Sequence, residues 1–437
     1  MKRLHLWLLL FSITVNNNAF GQSIEDIANN VLLNSRALRH ADIGICIYNP
    51  RQKEYVYRYN AIKYFTPASN TKLYTFYTGL NILGDSTTGI QYQIFHDTMF
   101  IRGTGDPSLL HPDFKEQHAV RFLENASLPI AFLNPPDDNA MFGQGWTWDD
   151  YNEAYQPERS AMPVYGNVAR FTVKDRHIQV EPEWFAARRL LRRNRRMRVY
   201  AFYVRREPER NIFNYNIRLY HDSDPQEVPF IVNNGSVSAQ LLGAAIHKRI
   251  SYRPDRKLPE DDWIVVRNVP LDSLFRHMLY RSDNFYAEQT LQMCSMKLFD
   301  TISTHHIIRY MLENDLADLP NAPRWVDGCG LSRYNLFTPL DMVSVLDKIY
   351  EQYPPARIDS MLPTGGEGTL KDLYRDMRGY IFAKTGSLEH VATLSGYLTT
   401  QKGNTFIFSV LINNCISPLD DARLAVEDFL RKIWETQ

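Results

Sequence analysis

Three short motifs lie far apart in this chain, and their separation constrains the fold more than any other feature. They are Ser69-Asn70-Thr71-Lys72, Ser282-Asp283-Asn284 and Lys384-Thr385-Gly386. A serine followed three residues later by a lysine is expected by chance about twice in a chain of this length, but the ordered set is much more specific. If the motifs form one site, the fold must join segments that are 213 and 102 residues apart.

The first motif lies where a helix is predicted to begin. Thr66 and Pro67 are favoured at the N-cap and at the first helical position, and an apolar stripe follows them. Ser69 then lies in the first turn, where its backbone N–H has no intrahelical partner and the helix dipole is positive. Lys72 shares that face, and with a lowered pKa it can take the serine proton. Taken alone, the motif also fits a helix cap with a surface lysine.

The second motif follows a helix predicted to end at Tyr280 and Arg281. A short polar turn can aim Ser282 and Asn284 into a cleft. There Ser282 can relay a proton and Asn284 can bind a substrate amide. A plain capping turn into the next helix is compatible with these roles.

The third motif follows a strand predicted at residues 379–383. Lys384 is the natural second cation beside the first lysine, and Lys384 and Thr385 suit a carboxylate. Gly386 permits close approach of a ligand backbone to an edge strand, and the N–H of Ser387 can supply an oxyanion donor. A simple β-turn is the competing interpretation.

The N-terminus has the features of a secretory signal. Basic residues follow Met1, an apolar run spans residues 6–15, and a small-residue end near Gly21 fits a cleavage site. The run is well short of the roughly 20 residues that span a bilayer. We therefore predict a signal peptide at residues 1–21, a periplasmic or secreted location and no transmembrane segment; a buried first helix is the alternative.

The remaining chain is long enough for two or three domains. Helices and strands predicted in residues 22–90 and 265–437 form the catalytic part. Its predicted strands are at residues 43–48, 54–59, 379–383, 392–399 and 405–412. Residues 91–264 contain short strand-like runs and many turn residues, so we predict an inserted, mainly β region of one or two small domains.

Charge and cysteine content narrow the function classes. The net charge is zero, so no attraction to nucleic acid is implied. The spacing of the cysteines does not match metal-binding or redox motifs. We favour buried free thiols for Cys46 and Cys415, and a disulfide bond is the alternative. An arginine run extends from Arg188 to Arg198. One interpretation is that this run contacts an anionic surface. The interpretation favoured here is a solvated face whose charges are paired locally.

Four further segments carry a family resemblance. The chain resembles the serine D-alanyl-D-alanine carboxypeptidases of the low-molecular-weight penicillin-binding protein 4 type, peptidase family S13. Besides the motifs, the matching segments are Gly103-Thr104-Gly105-Asp106-Pro107-Ser108-Leu109, Gly145-Trp146-Thr147-Trp148-Asp149-Asp150, Asp327-Gly328-Cys329-Gly330-Leu331-Ser332-Arg333-Tyr334-Asn335 and Gly368-Thr369-Leu370.

The resemblance implies an α+β fold in which a transpeptidase-like domain, an antiparallel sheet between helices, is interrupted by inserted domains. It also implies removal of the terminal D-alanine from peptidoglycan stem peptides through an acyl-enzyme, with cross-bridge cleavage in some members and β-lactams as inhibitors. No metal or cofactor is implied. The catalytic residues are then Ser69, Lys72 and Ser282. Those that bind substrate are Asn284, Lys384, Thr385, Gly386 and Ser387.

Two departures and two rival functions remain. Cys329 stands where the family has serine, and the insert is shorter than in the fullest members. A β-lactamase on the same fold is one rival, although class A enzymes have a much shorter gap between the first two motifs. A non-catalytic wall-binding protein is the other rival.

Overall fold

The computed structural model describes residues 22–137, 140–197, 199, 201–216, 224–254, 256–259 and 263–437. The predicted signal peptide, residues 1–21, lies outside the described residues. Within the described ranges, no helix has both the length and the apolar character needed to cross a bilayer.

The helices lie mostly in the two parts of the chain that flank the predicted insert. In chain order, the described α-helices are α1 (Ile24–Ile27), α2 (Lys72–Ile82), α3 (His118–Glu124), α4 (Trp184–Ala187), α5 (Ser236–Ala245), α6 (Leu271–Tyr280), α7 (Asn284–Phe299), α8 (Thr304–Glu313), α9 (Pro339–Gln352), α10 (Pro355–Met361) and α11 (Leu419–Thr436). A π-helical segment continues α1, and the short 3₁₀ helices are Arg36–Leu38, Ala68–Thr71, Trp148–Asn152, Tyr165–Asn167, Gly368–Leu370 and Arg375–Met377.

The strands group into four sheets. In chain order, the described strands are β1 (Asp42–Asn49), β2 (Glu54–Tyr59), β3 (Ser86–Phe95), β4 (Thr98–Gly103), β5 (Ile130–Leu133), β6 (Val168–Lys174), β7 (His177–Glu181), β8 (Leu191–Arg193), β9 (Val204–Glu207), β10 (Arg210–Tyr215), β11 (Gln226–Pro229), β12 (Ile250–Tyr252), β13 (Ile264–Pro270), β14 (Ile381–Leu388), β15 (Val391–Thr399) and β16 (Thr405–Asn413).

One antiparallel sheet joins the two ends of the chain, with the order β14-β15-β16-β1-β2. Because side chains alternate across a strand, β1 contributes side chains to two hydrophobic cores, one on each face of the sheet. Ile45 and Ile47 pack with α1 and α11 on one face, whereas Cys46 packs with α2, α7 and α9 on the other. The sheet therefore lies between two helical layers, which confirms the predicted α+β, transpeptidase-like fold class.

The other three sheets lie between Ser86 and Pro270. Their orders are β12-β5-β4-β3-β13, β11-β6-β7 and β8-β10-β9, and most of their buried apolar residues share one core with α3 and α5. The first and last strands of this stretch, β3 and β13, pair antiparallel. We propose that the inserted region runs from Ser86 to Pro270, since the boundaries expected at residues 91 and 264 cut into these two strands.

All four cysteines are buried and free. Cys46 lies in β1, an interior strand of the sheet, where burial raises the pKa of its thiol to about 12. The preferred interpretation, that Cys46 and Cys415 are buried thiols, is confirmed.

Candidate active site

The Ser69 turn departs from its predicted helical form. Ala68–Thr71 forms a 3₁₀ helix, and the α-helix begins only at Lys72. No side chain among the described residues caps this turn, and its N-cap position is Pro67 rather than Thr66. The backbone of Thr66 is tied to Asn413: its N–H donates to Asn413 Oδ1 (2.7 Å) and its carbonyl accepts from the same side chain (3.0 Å). Ala68, directly before the serine, has φ +48°. Such left-handed backbone in a non-glycine residue is strained and concentrates at functional sites.

Lys72 is fully buried and makes three hydrogen bonds. Its Nζ donates to Ser69 Oγ at 2.9 Å, to Asn284 Oδ1 at 2.6 Å and to the carbonyl of Cys329 at 2.7 Å. Burial lowers the pKa of Lys72, and the carboxylates of Asp327 and other acids near it oppose that shift. A buried amine with a lowered pKa, in contact with a serine hydroxyl, is suited to take the hydroxyl proton.

The second motif occupies the turn between α6 and α7. Ser282 has φ +58°, and Asp283 caps α7 by accepting from the N–H of Tyr286 at 2.9 Å. Ser282 Oγ accepts a hydrogen bond from Lys384 Nζ at 2.9 Å. The capping role and the placement of the serine therefore occur together in one turn.

Asn284, the first residue of α7, connects the first motif to the inserted region. Its Oδ1 accepts from Lys72, and its Nδ2 donates to the carbonyl of Tyr155 at 3.0 Å. Tyr155 lies five residues after the Gly145–Asp150 segment. This contact therefore brings that part of the inserted region to the cleft.

The third motif lies inside β14 rather than after it. Lys384, Thr385 and Gly386 pair with Ser395, Leu394 and Thr393 of β15. The strand predicted to end at residue 383 therefore continues to Leu388. Since β14 is the edge strand of the sheet, one side of the motif is left without a neighbouring strand of that sheet.

Lys384 is fully buried behind this edge. Its Nζ donates to Ser282 Oγ and to the carbonyl of Thr385 at 2.6 Å. Burial, followed by the positive charge of Lys72, holds the pKa of Lys384 well below its usual value. The second lysine therefore contacts the second serine directly, as the first lysine contacts the first serine.

Gly386 lets the edge strand approach the Ser69 turn. A Cβ at Gly386 would lie 2.2 Å from Thr393 Oγ1, 2.8 Å from the carbonyl of Pro67 and 3.0 Å from the backbone nitrogen of Ser69. The sequence predicts that a ligand backbone needs this space. The protein's own backbone also needs it, so any side chain at this position displaces the Ser69 turn.

Asn70 ties the same turn to the sheet. Its Nδ2 donates to the carbonyl of Lys384 at 2.8 Å, and its Oδ1 accepts from Ser395 Oγ at 2.6 Å. The middle residue of the first motif thus holds the first and third motifs in register. The motif pattern treats this residue as variable, so the pattern alone assigns it no role.

Asp327 organises the wall behind Lys72. Its two oxygens accept from the N–H groups of Gly330 and Ser332, from Trp146 Nε1 and from Asn335 Nδ2, at 2.7–2.8 Å. This carboxylate, fully buried, folds the 327–335 segment into a compact loop. The resemblance identified the segment, but Asp327 is absent from the predicted site residues.

Within that loop, Gly330 has φ +89°, and a Cβ there would lie 1.9 Å from the carbonyl of Ala68. The loop therefore packs directly on the Ser69 turn. Cys329 presents its carbonyl to Lys72, while its thiol is buried and lies 3.6 Å from Asp327. Burial, then the nearby carboxylates, raise the pKa of that thiol well above its usual value. The cysteine that replaces serine thus serves the site through its backbone.

Glu288 of α7 links the loop to the inserted region. It accepts from the N–H of Cys329 at 2.8 Å and forms a buried ion pair with Arg159 at 3.3 Å. Ligand-type atoms of Glu288, Asp327 and Cys329 lie within 4.8 Å of one another. These three residues already take part in internal hydrogen bonds, so we interpret the group as a structural network.

An open cleft lies on both sides of Ser69. One cavity, of about 580 Å³, is lined by Ser69 with Ser282, Thr385, Ser387 and Arg423 among others. The other, of about 490 Å³, is lined by Ser69 and Ser387 with Asn284, Tyr155 and Arg333 among others. The structure therefore gathers all eight predicted site residues in or directly behind one cleft. The role of each remains a prediction.

Arg423 is a cleft residue that the sequence did not indicate. It lies on α11, and its Nη2 donates to Ser387 Oγ at 2.8 Å. Its other contact is an exposed ion pair with Asp420 at 2.5 Å. No motif surrounds it, because the C-terminal helix carries a generic amphipathic pattern.

The fold of the chain is similar to known structures. A crystal structure of penicillin binding protein 4 (dacB) from Haemophilus influenzae superposes with a TM-score of 0.69 at 18% identity, covering 94% of this chain and 98% of that one. A curated relative named D-alanyl-D-alanine carboxypeptidase DacB, also from Haemophilus influenzae, is 22% identical and covers 85% of each chain. A third match, the penicillin-sensitive carboxypeptidase A of Dictyostelium discoideum, is 22% identical over 84% of this chain and 82% of its own length.

The family assignment rests on a match over most of the chain. The family model described as "D-Ala-D-Ala carboxypeptidase 3 (S13) family" matches residues 25–183 and 238–432. This agrees with the resemblance drawn from the motifs and with the fold. The chain belongs to the D-Ala-D-Ala carboxypeptidase 3 (S13) family, and it is a serine-type D-alanyl-D-alanine carboxypeptidase.

Proposed function

We propose that this carboxypeptidase acts through an acyl-enzyme on Ser69, with Lys72 as the base. The observation that carries the proposal is the 2.9 Å contact between Lys72 Nζ and Ser69 Oγ, made by a fully buried lysine whose burial lowers its pKa. In its neutral form Lys72 keeps two N–H donors for Asn284 and Cys329, and its lone pair faces the Ser69 hydroxyl. It takes the hydroxyl proton as Ser69 Oγ attacks the carbonyl of the penultimate D-alanine. The N–H groups of Ser69 and Ser387 stabilise the oxyanion.

Collapse of the tetrahedral intermediate breaks the C–N bond of the terminal peptide. The departing amine needs a proton. Lys72 gives up the proton that it took, and Ser282, whose oxygen Lys384 contacts at 2.9 Å, relays it to the amine, so that Lys72 is neutral again. Water then attacks the ester carbonyl while neutral Lys72 takes a proton from it. The bond between the acyl carbon and Ser69 Oγ breaks, and Lys72 returns the proton to Oγ, which restores the hydroxyl and the neutral amine. No metal or cofactor enters these steps.

Each of the two cavities is assigned to a different part of the substrate. The cavity that contains Ser282 and Thr385 is assigned to the leaving D-alanine, because the proton donor must lie on the side of the amine. The cavity that contains Asn284 is assigned to the stem peptide. The Asn284 amide has a second N–H besides the one given to Tyr155, and this N–H is assigned to a substrate carbonyl.

The leaving carboxylate needs a positive partner in its cavity. Lys384 is fully buried and donates to Ser282 and Thr385, whereas the guanidinium of Arg423 lines the cavity beside Thr385. We assign the carboxylate to Thr385 and Arg423, and we assign Lys384 to holding Ser282 and the Thr385 carbonyl from behind the strand. Guanidinium donors suit carboxylates because their fork matches the two oxygens.

For Arg423→Gln, kcat/KM on a peptide that ends in a D-alanine carboxylate is expected to fall about 10–100-fold, the equivalent of a charge-assisted hydrogen bond. A peptide that ends in D-alanine carboxamide should lose about threefold at most, since it has no charge to pair. Steady-state hydrolysis of both peptides provides the measurement. Lys432→Gln, on the exposed side of the same helix, is the control; equal losses on both peptides for Arg423→Gln contradict the assignment.

Peptidoglycan stem peptides are the proposed substrates and β-lactams the proposed inhibitors. The names of two relatives, a penicillin-sensitive carboxypeptidase and a penicillin binding protein, support this. We also propose that some cross-bridges are cut, and that residues 1–21 direct export to the periplasm or the exterior.

The decisive experiment is incubation of the purified protein with benzylpenicillin, followed by intact-mass and peptide-level mass spectrometry. The expected result is a stable gain of one penicillin, located on Ser69. Rapid turnover without a lasting adduct indicates a β-lactamase. An adduct on another residue, or no hydrolysis of a D-alanyl-D-alanine peptide, contradicts the proposal.

A further inference from the structure

An arginine-rich part of the inserted region has no place in the reaction. It comprises eight exposed arginines on and around β8, β9 and β10, called here the arginine cluster: Arg188, Arg189, Arg192, Arg193, Arg195, Arg196, Arg205 and Arg210. The whole chain has zero net charge, so this concentration of positive charge is local.

Few of these arginines form ion pairs within the part of the chain that the structure describes. Among the described residues, the ion pairs of the cluster are those of Arg192 and Arg210, at 3.6 and 3.1 Å, and both use the single carboxylate of Glu207. Arg188 stacks over the ring of Trp184 at 4.6 Å. This stretch is therefore a solvent-exposed face, as favoured, and in the part of the chain that the structure describes Arg192 is the member of the run that forms an ion pair.

The cluster adjoins the wall of the catalytic cleft. Arg196 and Arg205 line an open cavity of about 350 Å³ together with Tyr151, and Arg205 Nε donates to the Tyr151 hydroxyl at 3.2 Å. Tyr151 belongs to the 3₁₀ helix Trp148–Asn152, whose Asp150 lines the stem-peptide cavity. One short helix thus separates the cluster from the cleft.

Trp148 opens that same helix, and its side chain is 77% exposed. An exposed tryptophan offers a flat apolar surface of the kind that binding sites use. The family model leaves residues 184–237 unmatched, so family membership assigns no role to the β8–β10 sheet or to its arginines.

We propose that the arginine cluster and Trp148 form a docking surface for polymeric peptidoglycan beside the cleft. Free carboxylates of neighbouring stem peptides pair with the arginines, and a sugar face of the glycan packs on the Trp148 ring. This inference rests on the proposed function. It adds that the enzyme works on the assembled polymer, held by a second contact outside the cleft, in preference to short soluble peptides.

Charge pairing at an exposed surface is screened by salt over a Debye length of about 8–10 Å near physiological ionic strength. Docking should therefore be strong at low salt and weak at high salt. Hydrolysis of a short peptide that fills only the cleft should not depend on the cluster.

The test compares Arg193→Gln/Arg196→Gln with Arg36→Gln/Arg39→Gln. The second pair removes the same charge from exposed arginines of the catalytic part. Each pair is placed in full-length protein that also carries Ser69→Ala, so that substrate is not consumed. Co-sedimentation with purified sacculi is measured at low and high salt, with untreated sacculi and with sacculi whose carboxylates have been converted to amides.

The expected result is that the Arg193/Arg196 pair weakens binding to untreated sacculi about 5–10-fold at low salt, and that the other pair has little effect. Amidated sacculi should bind the proteins with either pair of substitutions weakly. With Ser69 intact, each pair should hydrolyse a soluble D-alanyl-D-alanine pentapeptide within about twofold of the parent. Trp148→Ala should weaken sedimentation further.

Equal binding by the two pairs overturns the proposal, as does undiminished binding to amidated sacculi. Stronger retention on a nucleic-acid homopolymer than on sacculi points to another polyanion and also overturns it. Failure of the parent enzyme to hydrolyse the soluble peptide is a different outcome, because it contradicts the proposed function and leaves the sedimentation result standing on its own.

Discussion

Replacing Lys72 with methionine is expected to slow acylation of Ser69 by a penicillin about 10²–10⁴-fold, the range associated with loss of a general base. Methionine keeps most of the side-chain volume and removes the amine that contacts Ser69 Oγ at 2.9 Å. The serine is then left without its base. The measurement is the second-order rate of labelling by a fluorescent penicillin, with thermal unfolding to show that the variant is folded.

The pH dependence gives the same prediction a sharper form. Burial lowers the pKa of Lys72, and the neutral amine is the active base. Acylation by the parent enzyme should therefore rise with pH and level off above an inflection that lies below the usual lysine pKa of 10.5. Lys72→Met should lose that inflection together with the rate.

A matched control uses Lys297 of α7, whose Nζ donates to the carbonyl of Leu83 at 3.2 Å, away from the motifs. Lys297→Met should keep both the rate and the pH profile. Retention of the ascending limb by Lys72→Met contradicts the assignment of Lys72 as the base, and Lys384 becomes the residue to test next.

Replacing Asp327 with alanine is expected to lower the free energy of unfolding by about 3–5 kcal/mol and to reduce acylation severely. Four donors from Trp146, Gly330, Ser332 and Asn335 lose a buried charged acceptor. Because Gly330 packs on the carbonyl of Ala68, disorder in the loop reaches the Ser69 turn. Urea unfolding and penicillin labelling provide the two readouts.

Asp318→Ala is the control for this change. Asp318 pairs with Lys348 at 2.7 Å, but its side chain is 69% exposed, and such surface pairs contribute about 0–1 kcal/mol. Its unfolding midpoint and labelling rate should stay close to those of the parent. A midpoint for Asp327→Ala within the same narrow range contradicts the structural role of the buried carboxylate.

Much of the secondary structure could be read from local patterns. The predicted strands at residues 43–48, 54–59, 392–399 and 405–412 correspond to β1, β2, β15 and β16. Alternation and helical periodicity depend on neighbours a few residues away, which the chain displays directly. The strand predicted at 379–383 ends too early, because its true end depends on a distant partner and not on nearby residues. Its continuation depends on pairing with β15, and Lys-Thr-Gly resembles a turn when it is considered alone.

The first motif shows the limit of local signals. Thr66 and Pro67 indicated an α-helical start, but Thr66 instead bonds Asn413, a partner 347 residues away. The turn around Ser69 is 3₁₀ with Pro67 at its N-cap position, and the residue predicted to cap it is tied through its backbone to a distant strand. Pairing in the arginine run is a comparable case: Arg192 finds Glu207, because whether a charge finds a partner depends on folded neighbours.

The sequence by itself determined the family, the enzyme class and the residues that carry the three motifs, because chemistry of this kind needs particular side chains and those are written in the chain. Only the tertiary structure decided what surrounds them: the burial that lowers the pKa of Lys72, the four donors around Asp327, the approach of Arg423 to Ser387 and the place of the arginine cluster beside the cleft. These depend on contacts between residues distant in sequence, and packing of the whole fold sets those contacts.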